Sequence, residues 1–504
     1  MPFIKWTFPV LFGIFLLSVA VRWPQLNRPL SKHHEFCTAL SLRVMQIWYD
    51  NRIEKYNFNP VMTYNNPADK FINNNANTSG EMMDKDGNYY YVSHPPFAYY
   101  FPFFVFKALH IRPDILPLQI FNLCLHFISG LFVYFIVCLL SLNKGRSMPY
   151  RSAIVAYTIY IFLPVTMWFQ GNVYMSDMAV QVLFIIGVYI ALKMIIRERF
   201  YSIKYIFFYT ICLGLMIYTS WLGVFFAFGV FVYSLLHVRA NKAFRVLIWS
   251  TVIVGLLMLR LIIYQYSQIN GTLAYFEEMF DRYIIRSGLE GADKGLFHFM
   301  FSYLLLIKTL IYNYIVHYII VYAIIMLFIW FAITRKKLKI VFSDNGYRFI
   351  WLAVLPVVLL HVFFLNYSTQ DFTVLYASLF FSVGLGILYD KIKKSGAIPL
   401  RNMQVGLFVV IVLMTVQYEL MNYASDSMPS ITGNDIRKNT IKDEVLFSYD
   451  PDIQPQLIFY SQRNIKYIKS KEEALSFLKS RHINKGEIVG DRAGKISLDS
   501  TLAH

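Results

Sequence analysis

Apolar stretches long enough to cross a bilayer recur along this chain, and short basic clusters separate them. This is the feature that most limits the fold. A segment surrounded by lipid has no water to satisfy its backbone, so it must be a helix or part of a closed barrel. A bilayer core takes roughly 20 apolar residues of helix. Runs near that length lie at 8–21, 116–142, 152–169, 179–196, 205–219, 221–236, 246–264, 315–333, 349–365, 372–388 and 405–418. They predict an all-α polytopic membrane protein of about eleven spans. The composition agrees: 57% of residues are hydrophobic and 15% charged, against about 25% charged in soluble domains. Too little polar sequence remains to cover several soluble domains, and disorder, collagen and disulfide scaffolds are excluded. Cys124, Cys138 and Cys212 lie inside apolar runs and only Cys37 in polar sequence, so the cysteines read as packing residues.

The net charge of +17 does not indicate nucleic acid, because the basic residues fall in loops between spans. With Lys5 placed in the cytoplasm, the clusters at Lys144, Arg146 and Arg151, at Lys193, Arg197, Arg199 and Lys204, at Arg239, Lys242 and Arg245, at Arg335 to Lys339, and at Lys391 to Arg401 all fall inside. That orientation holds only if the short aromatic stretch 94–110 lies along the outer interface instead of crossing. The reading gives a transmembrane domain over 1–420, a first outer loop over 22–115 with interface helices, and a further outer loop over 265–314. It adds a small soluble α/β tail over 421–504, with strands at 445–449 and 465–468 and helices at 454–460 and 472–479. No internal repeat is evident.

Three polar motifs face the predicted outer side. Ser31-Lys32-His33-His34-Glu35-Phe36 precedes an amphipathic pattern over 38–48. It reads either as a helix start capped by Ser31 or as a site at the membrane boundary. Asp86-Gly87 marks a hairpin turn, followed by tyrosines and then His94-Pro95-Pro96. A histidine there serves as a cap or as a cation for a phosphate at a helix start. Asp177 opens the fourth span. It is explained by N-capping, by metal binding, or by orienting His33 or His34.

In order and sidedness, these features resemble the GT-C fold glycosyltransferases that use polyprenyl-phosphate sugars. Within that group the chain is most similar to the superfamily of protein O-mannosyltransferases (dolichyl-phosphate-mannose-protein mannosyltransferases) and aminoarabinose transferases. The resemblance covers most of the chain. It rests on Glu35 after the first span, His94-Pro95-Pro96, Asp177, and the tail stretch Leu457-Ile458-Phe459-Tyr460-Ser461-Gln462-Arg463, similar to a Tyr-Tyr-Ser-x-Arg stretch of bacterial members. Two departures stand out. The first motif has His34-Glu35 where relatives carry two acids, and Asn366-Tyr367-Ser368-Thr369-Gln370-Asp371 replaces a late aromatic and histidine-rich motif.

The resemblance implies sugar transfer from a polyprenyl phosphate to an acceptor hydroxyl, with inversion, at the outer face of a plasma (bacterial inner) membrane. It puts the general-base role on Glu35, the single acid of the first motif. It implies charge stabilisation of the leaving phosphate, for which His94, Arg282 and Arg286 are candidates; two arginines in a polar loop are more often simply solvated. Asp177 would orient His33 or His34 or hold a divalent metal. The implied partners are the lipid-linked donor, an acceptor that is a protein, lipid or glycan, and the bilayer. A transporter or flippase predicts charges deep in the spans; Arg260 and His317 come nearest. A non-catalytic subunit that binds lipid-linked sugar is the third reading.

Overall fold

The computed structural model describes residues 6–30, 33–73, 80–141, 150–290, 295–335, 344–395, 398–421, 426–489 and 496–499. The expected cap Ser31, and the basic residues Lys5, Lys144, Arg146 and Lys336 to Lys339, lie outside them. Among the described residues, eight helices are long and apolar enough to cross a membrane. These are α1 (Thr7–Arg22), α4 (Ile115–Leu140), α7 (Ser176–Ile196), α10 (Phe244–Asn270), α12 (Leu296–Arg335), α13 (Asp344–Phe363), α15 (Ser378–Ser395, entered through a 3₁₀ turn at Asp371–Ala377) and α16 (Leu400–Leu420). The remaining expected spans fall on shorter helices: α8 (Ile203–Ile217), α9 (Trp221–His237), and the broken pair α5 (Tyr150–Phe162) and α6 (Pro164–Phe169). The break comes at Leu163, whose backbone is extended because it precedes a proline.

Helix α7 is central. Its sequence is apolar all round, and most of it is buried inside the protein, whereas α10 and α16 leave most of their length on the perimeter. The buried turn between α6 and α7 is held by side chains that satisfy its backbone. Asn122 Nδ2 donates to the carbonyls of Phe169 and Val173 at 3.0 and 2.7 Å. Ser41 Oγ donates to the Tyr174 carbonyl, and Thr38 Oγ1 accepts from the Tyr174 N–H. Orphan backbone groups at a buried helix entrance need such partners. Here they also fix the start of α7, and with it Asp177.

The segment over 265–314 is not an extended outer loop. Helix α10 runs to Asn270, α11 covers Thr272–Ser287, and α12 already begins at Leu296, with non-helical backbone at Tyr318. The cause is visible in the sequence: 296–314 is apolar apart from His298, Lys308 and a few hydroxyl and amide side chains, so it extends the helix that the expected span only half covered.

A cap of smaller elements gathers at one end of the bundle. It includes α2 (Glu35–Asn51), the hairpin β1 (Glu81–Met83) and β2 (Tyr89–Tyr91), and α3 (Phe97–Ala108). The hairpin turns at Asp84–Asn88, where Asp84 Oδ1 accepts from the N–H groups of Asp86 and Asn88 and Gly87 takes φ +78°. The tail holds α17 (Met428–Asn439), β3 (Val445–Ser448), α18 (Pro455–Ser461), β4 (Ile465–Tyr467), α19 (Lys471–Ser480), β5 (Lys485–Ile488) and β6 (Ile496–Asp499). Its sheet has the order β4-β3-β5-β6, parallel except for β6. Helix α17 and the strands β5 and β6 add to the elements expected from the sequence.

The tail docks on the first loop. Ala68 and Ile72 join its apolar core, and Arg463 Nε meets Asp69 Oδ1 at 3.2 Å in a buried ion pair. The Tyr460 hydroxyl accepts from the Leu30 N–H at 3.0 Å. The Tyr-Ser-x-Arg stretch is therefore a docking seam.

Candidate active site

A cavity of about 630 Å³ opens in the cap end, between α2, the start of α7, the end of α11, the turn at 366–372 and the tail loop 452–456. Its wall carries Asp177, His94, Arg282, Arg286, Tyr367 and Glu81. Helix α11 places the two arginines. They stand four residues apart, so they share one helix face, while Leu273, Phe276 and Phe280 cover the other. The helix then ends at Gly288 (φ +81°), whose N–H returns to the carbonyls of Ile284 and Ile285, the left-handed stop that glycine takes without strain.

Arg286 is buried. Its guanidinium lies 4.7 Å from the Tyr367 ring centre, and Nη2 donates to His94 Nε2 at 2.8 Å. A neutral imidazole is what accepts there. Burial first, and then the charges of Arg286 and Arg282, hold His94 well below the ordinary histidine pKa. His94 is therefore not the cation that its place before Pro95 suggested; the charge belongs to the arginines. Its Nδ1 has no hydrogen-bond partner among the described residues and carries the proton when Nε2 accepts.

Asp177 sits one residue into α7, not at its cap; Met175 holds the cap position. Its carboxylate accepts from the hydroxyls of Tyr367 at 2.6 Å, Ser176 at 3.1 Å and Tyr376. Burial and the adjoining carboxylate raise the Tyr367 pKa far above its usual value, so Tyr367 remains a phenol donor. Asp177, Tyr367, Arg286 and His94 form one connected polar wall. Cys37 also lines the cavity, but burial pushes its thiol up, so it packs and does not attack.

Glu35 lies elsewhere. It is fully buried, and its Oε1 takes Arg28 Nη2 at 3.1 Å, with Arg28 stacked over Trp168. The α2 face that reaches the cavity carries Phe36, Cys37, Leu40 and Ser41. Helical spacing turns Glu35 from that face.

His33 and His34 do not meet Asp177 either. Their Nε2 atoms lie 2.9 and 2.8 Å from the two carboxylate oxygens of Asp371, and His317 Nε2 lies 3.3 Å from Oδ2. His33, His34 and Asp371 offer ligand atoms all within 4.8 Å of one another, a group able to hold a metal ion. Sequence reasoning named Tyr367 and Asp371 only as part of the stretch that departs from the family motif, gave them no role, and missed Tyr376. Each meets its partner across 190 residues or more, so no local pattern could have found them.

No family model matches the chain, and no curated protein matches it in sequence. Comparison of three-dimensional structures is informative: the fold is that of the GT-C membrane proteins. An oligosaccharyltransferase, AglB from Archaeoglobus fulgidus, in complex with an inhibitory peptide and a dolichol-phosphate, aligns over 96% of this chain and 69% of its own at TM-score 0.53 and 11% identity. The Archaeoglobus fulgidus oligosaccharyltransferase in complex with Zn and sulfate aligns over 95% and 67% at 0.56 and 13%. ArnT from Cupriavidus metallidurans, bound to undecaprenyl phosphate, aligns over 96% and 92% at 0.51 and 11%.

Proposed function

We propose that the chain is a membrane glycosyltransferase that moves a sugar from a polyprenyl phosphate to an acceptor hydroxyl, with inversion, at the outer face of the membrane. One observation carries the reading: Arg282, Arg286 and His94 face the same cavity as the buried carboxylate of Asp177. The solved structures of similar fold contain dolichol-phosphate or undecaprenyl phosphate, which supports a lipid-phosphate donor here.

The donor phosphate sits against Arg282 and Arg286, with the His94 Nδ1–H as a further donor. Phosphate is already a competent leaving group, so the site supplies charge, not a proton. The acceptor oxygen attacks the anomeric carbon, the bond to the phosphate oxygen breaks, and the acceptor proton passes to a carboxylate. We assign that carboxylate to Asp177 in place of Glu35, because Glu35 is paired with Arg28 away from the cavity. Three hydroxyl donors hold the Asp177 carboxyl group in a fixed orientation. We place the acceptor toward the tail loop 452–456, which also lines the cavity.

The test is turnover of a panel of polyprenyl-phosphate sugars by purified protein, with Asp177→Asn and Glu35→Gln beside the wild type. The reading expects one donor to be consumed by wild type and spared by Asp177→Asn. Equal consumption by Asp177→Asn removes its role. Binding of donors without turnover favours a lipid-sugar-binding subunit, and no binding favours a transporter.

A further inference from the structure

We propose that His33, His34 and Asp371 form a binding site for a zinc-class divalent ion, with His317 orienting the carboxylate, and that the ion fastens the first loop to the 371 segment. The inference does not depend on the sugar-transfer reading.

Four observations support it. Side chains of adjacent residues normally diverge, yet the rings of His33 and His34 lie 4.6 Å apart, centre to centre, and address one carboxylate. What turns them together is left-handed backbone at His34 (φ 53°, ψ −2°), a conformation that costs a non-glycine residue about 1 kcal/mol or more. Second, His34 Nε2 approaches Asp371 Oδ1 to 2.8 Å, yet Oδ1 accepts no well-aligned hydrogen bond. One ligand atom from each of His33, His34 and Asp371 lies within 4.8 Å of the others, a spread that one small ion with metal–ligand bonds of about 2.0–2.1 Å can bridge.

Third, the surroundings are apolar. The His34 ring packs edge-on against Phe372 at 5.1 Å, and Trp168 and Phe169 flank His33. The His33 side chain is still 22% exposed and that of His34 12%, which leaves an entry path. Fourth, His317 comes from α12 beside its irregular residue Tyr318, and its Nε2 lies 3.3 Å from Asp371 Oδ2. Ligating carboxylates are usually held by such a partner. Two imidazoles and one carboxylate suit zinc, cobalt or nickel; magnesium and calcium prefer oxygen ligands.

The ligands lie just behind the cavity wall. His34 is two residues from Phe36, and Asp371 stands between Gln370 and Phe372, all three of which line the cavity. The ion would hold this wall in place without touching the donor.

The experiment uses full-length protein in detergent, stripped with a chelator and titrated with Zn²⁺ and Co²⁺. The expected result is one equivalent of tightly bound Zn²⁺, a thermal midpoint that rises until one equivalent is reached, and visible Co²⁺ absorption that Zn²⁺ displaces. His317→Gln should weaken Zn²⁺ about 10–100-fold, Asp371→Asn should abolish it, and His34→Cys should add a sulfur-to-cobalt charge-transfer band. That gain of signal does not rely on a loss that misfolding could mimic. The absence of stoichiometric binding to wild type overturns the proposal. So does an unchanged Co²⁺ spectrum in both Asp371→Asn and His34→Cys.

Discussion

Two polar regions are buried side by side in the cap, and they are built on opposite plans. The cavity wall keeps its groups apart: Arg282 and Arg286 lie on one helix face, Asp177 at the start of another, with Tyr367 between them. The histidine cluster does the reverse and draws three rings onto one carboxylate. Separated charges around open space can bind a substrate and act on it as it changes. Converged groups have no room for a substrate and suit something as small as an ion. Phe36 and Phe372 mark the partition, since both line the cavity and the His34 ring contacts both.

The sharpest way to break this contrast is to remove a group on the cavity side. Asp177→Asn is expected to lower kcat by about 10²–10⁴, with donor binding retained; turnover and donor-binding assays on the same preparation separate the two. Arg286→Met is expected to cost about 10²–10³ in transfer and to weaken donor binding as well. Arg286→Lys should recover only part, because an ammonium cannot reproduce both the ring contact and the bond to His94.

Glu35→Gln sharpens the contrast from outside the cavity. It breaks a buried pair with Arg28, and about 3 kcal/mol of stability is expected to go with it, read as a lower denaturation midpoint. Transfer by the molecules that remain folded should persist. Should Glu35→Gln fold normally and lose turnover, the base returns to Glu35. Asp69→Asn is expected to have a similar or smaller cost, by uncoupling Arg463. Its readout is faster proteolysis of the tail, with weaker acceptor use because the tail loop is part of the cavity wall.

The smallest effect concerns pH. His94 in the folded protein titrates below the ordinary histidine value of 6.5. Below about pH 6.5 the unfolded chain therefore binds the proton that the folded chain resists, and stability is lost as pH falls through that range. The expected shape is a thermal midpoint that declines below about pH 6.5, with a shallower decline in His94→Gln.

Much of the fold was legible in the sequence because lipid imposes a strong local rule: an apolar run of the right length becomes a helix. The rule failed at 296–314, where an apolar stretch was set aside as loop. Half of the tail was legible for a similar reason, since Val445–Ser448 and Ile465–Tyr467 follow strand patterning. Lys485–Ile488 does not, because Gly486 and Glu487 blur the pattern.

The site was legible only in part. Arg282, Arg286, His94 and Asp177 were named from the sequence, and they share one cavity wall. Glu35, His33 and His34 were named with them, and the folded chain turns all three toward other partners.

The sequence by itself determined most of the long apolar helices, the hairpin, the short aromatic helix α3 and a short list of polar candidates, because hydropathy and turn chemistry act between near neighbours. Only the tertiary structure decided which candidates meet. Asp177 went to Tyr367 and Tyr376, and the two histidines to Asp371, because the orientation of a helix face and the packing of α7 against α13 and the 371 turn bring together residues far apart in the chain. No local pattern records such a meeting.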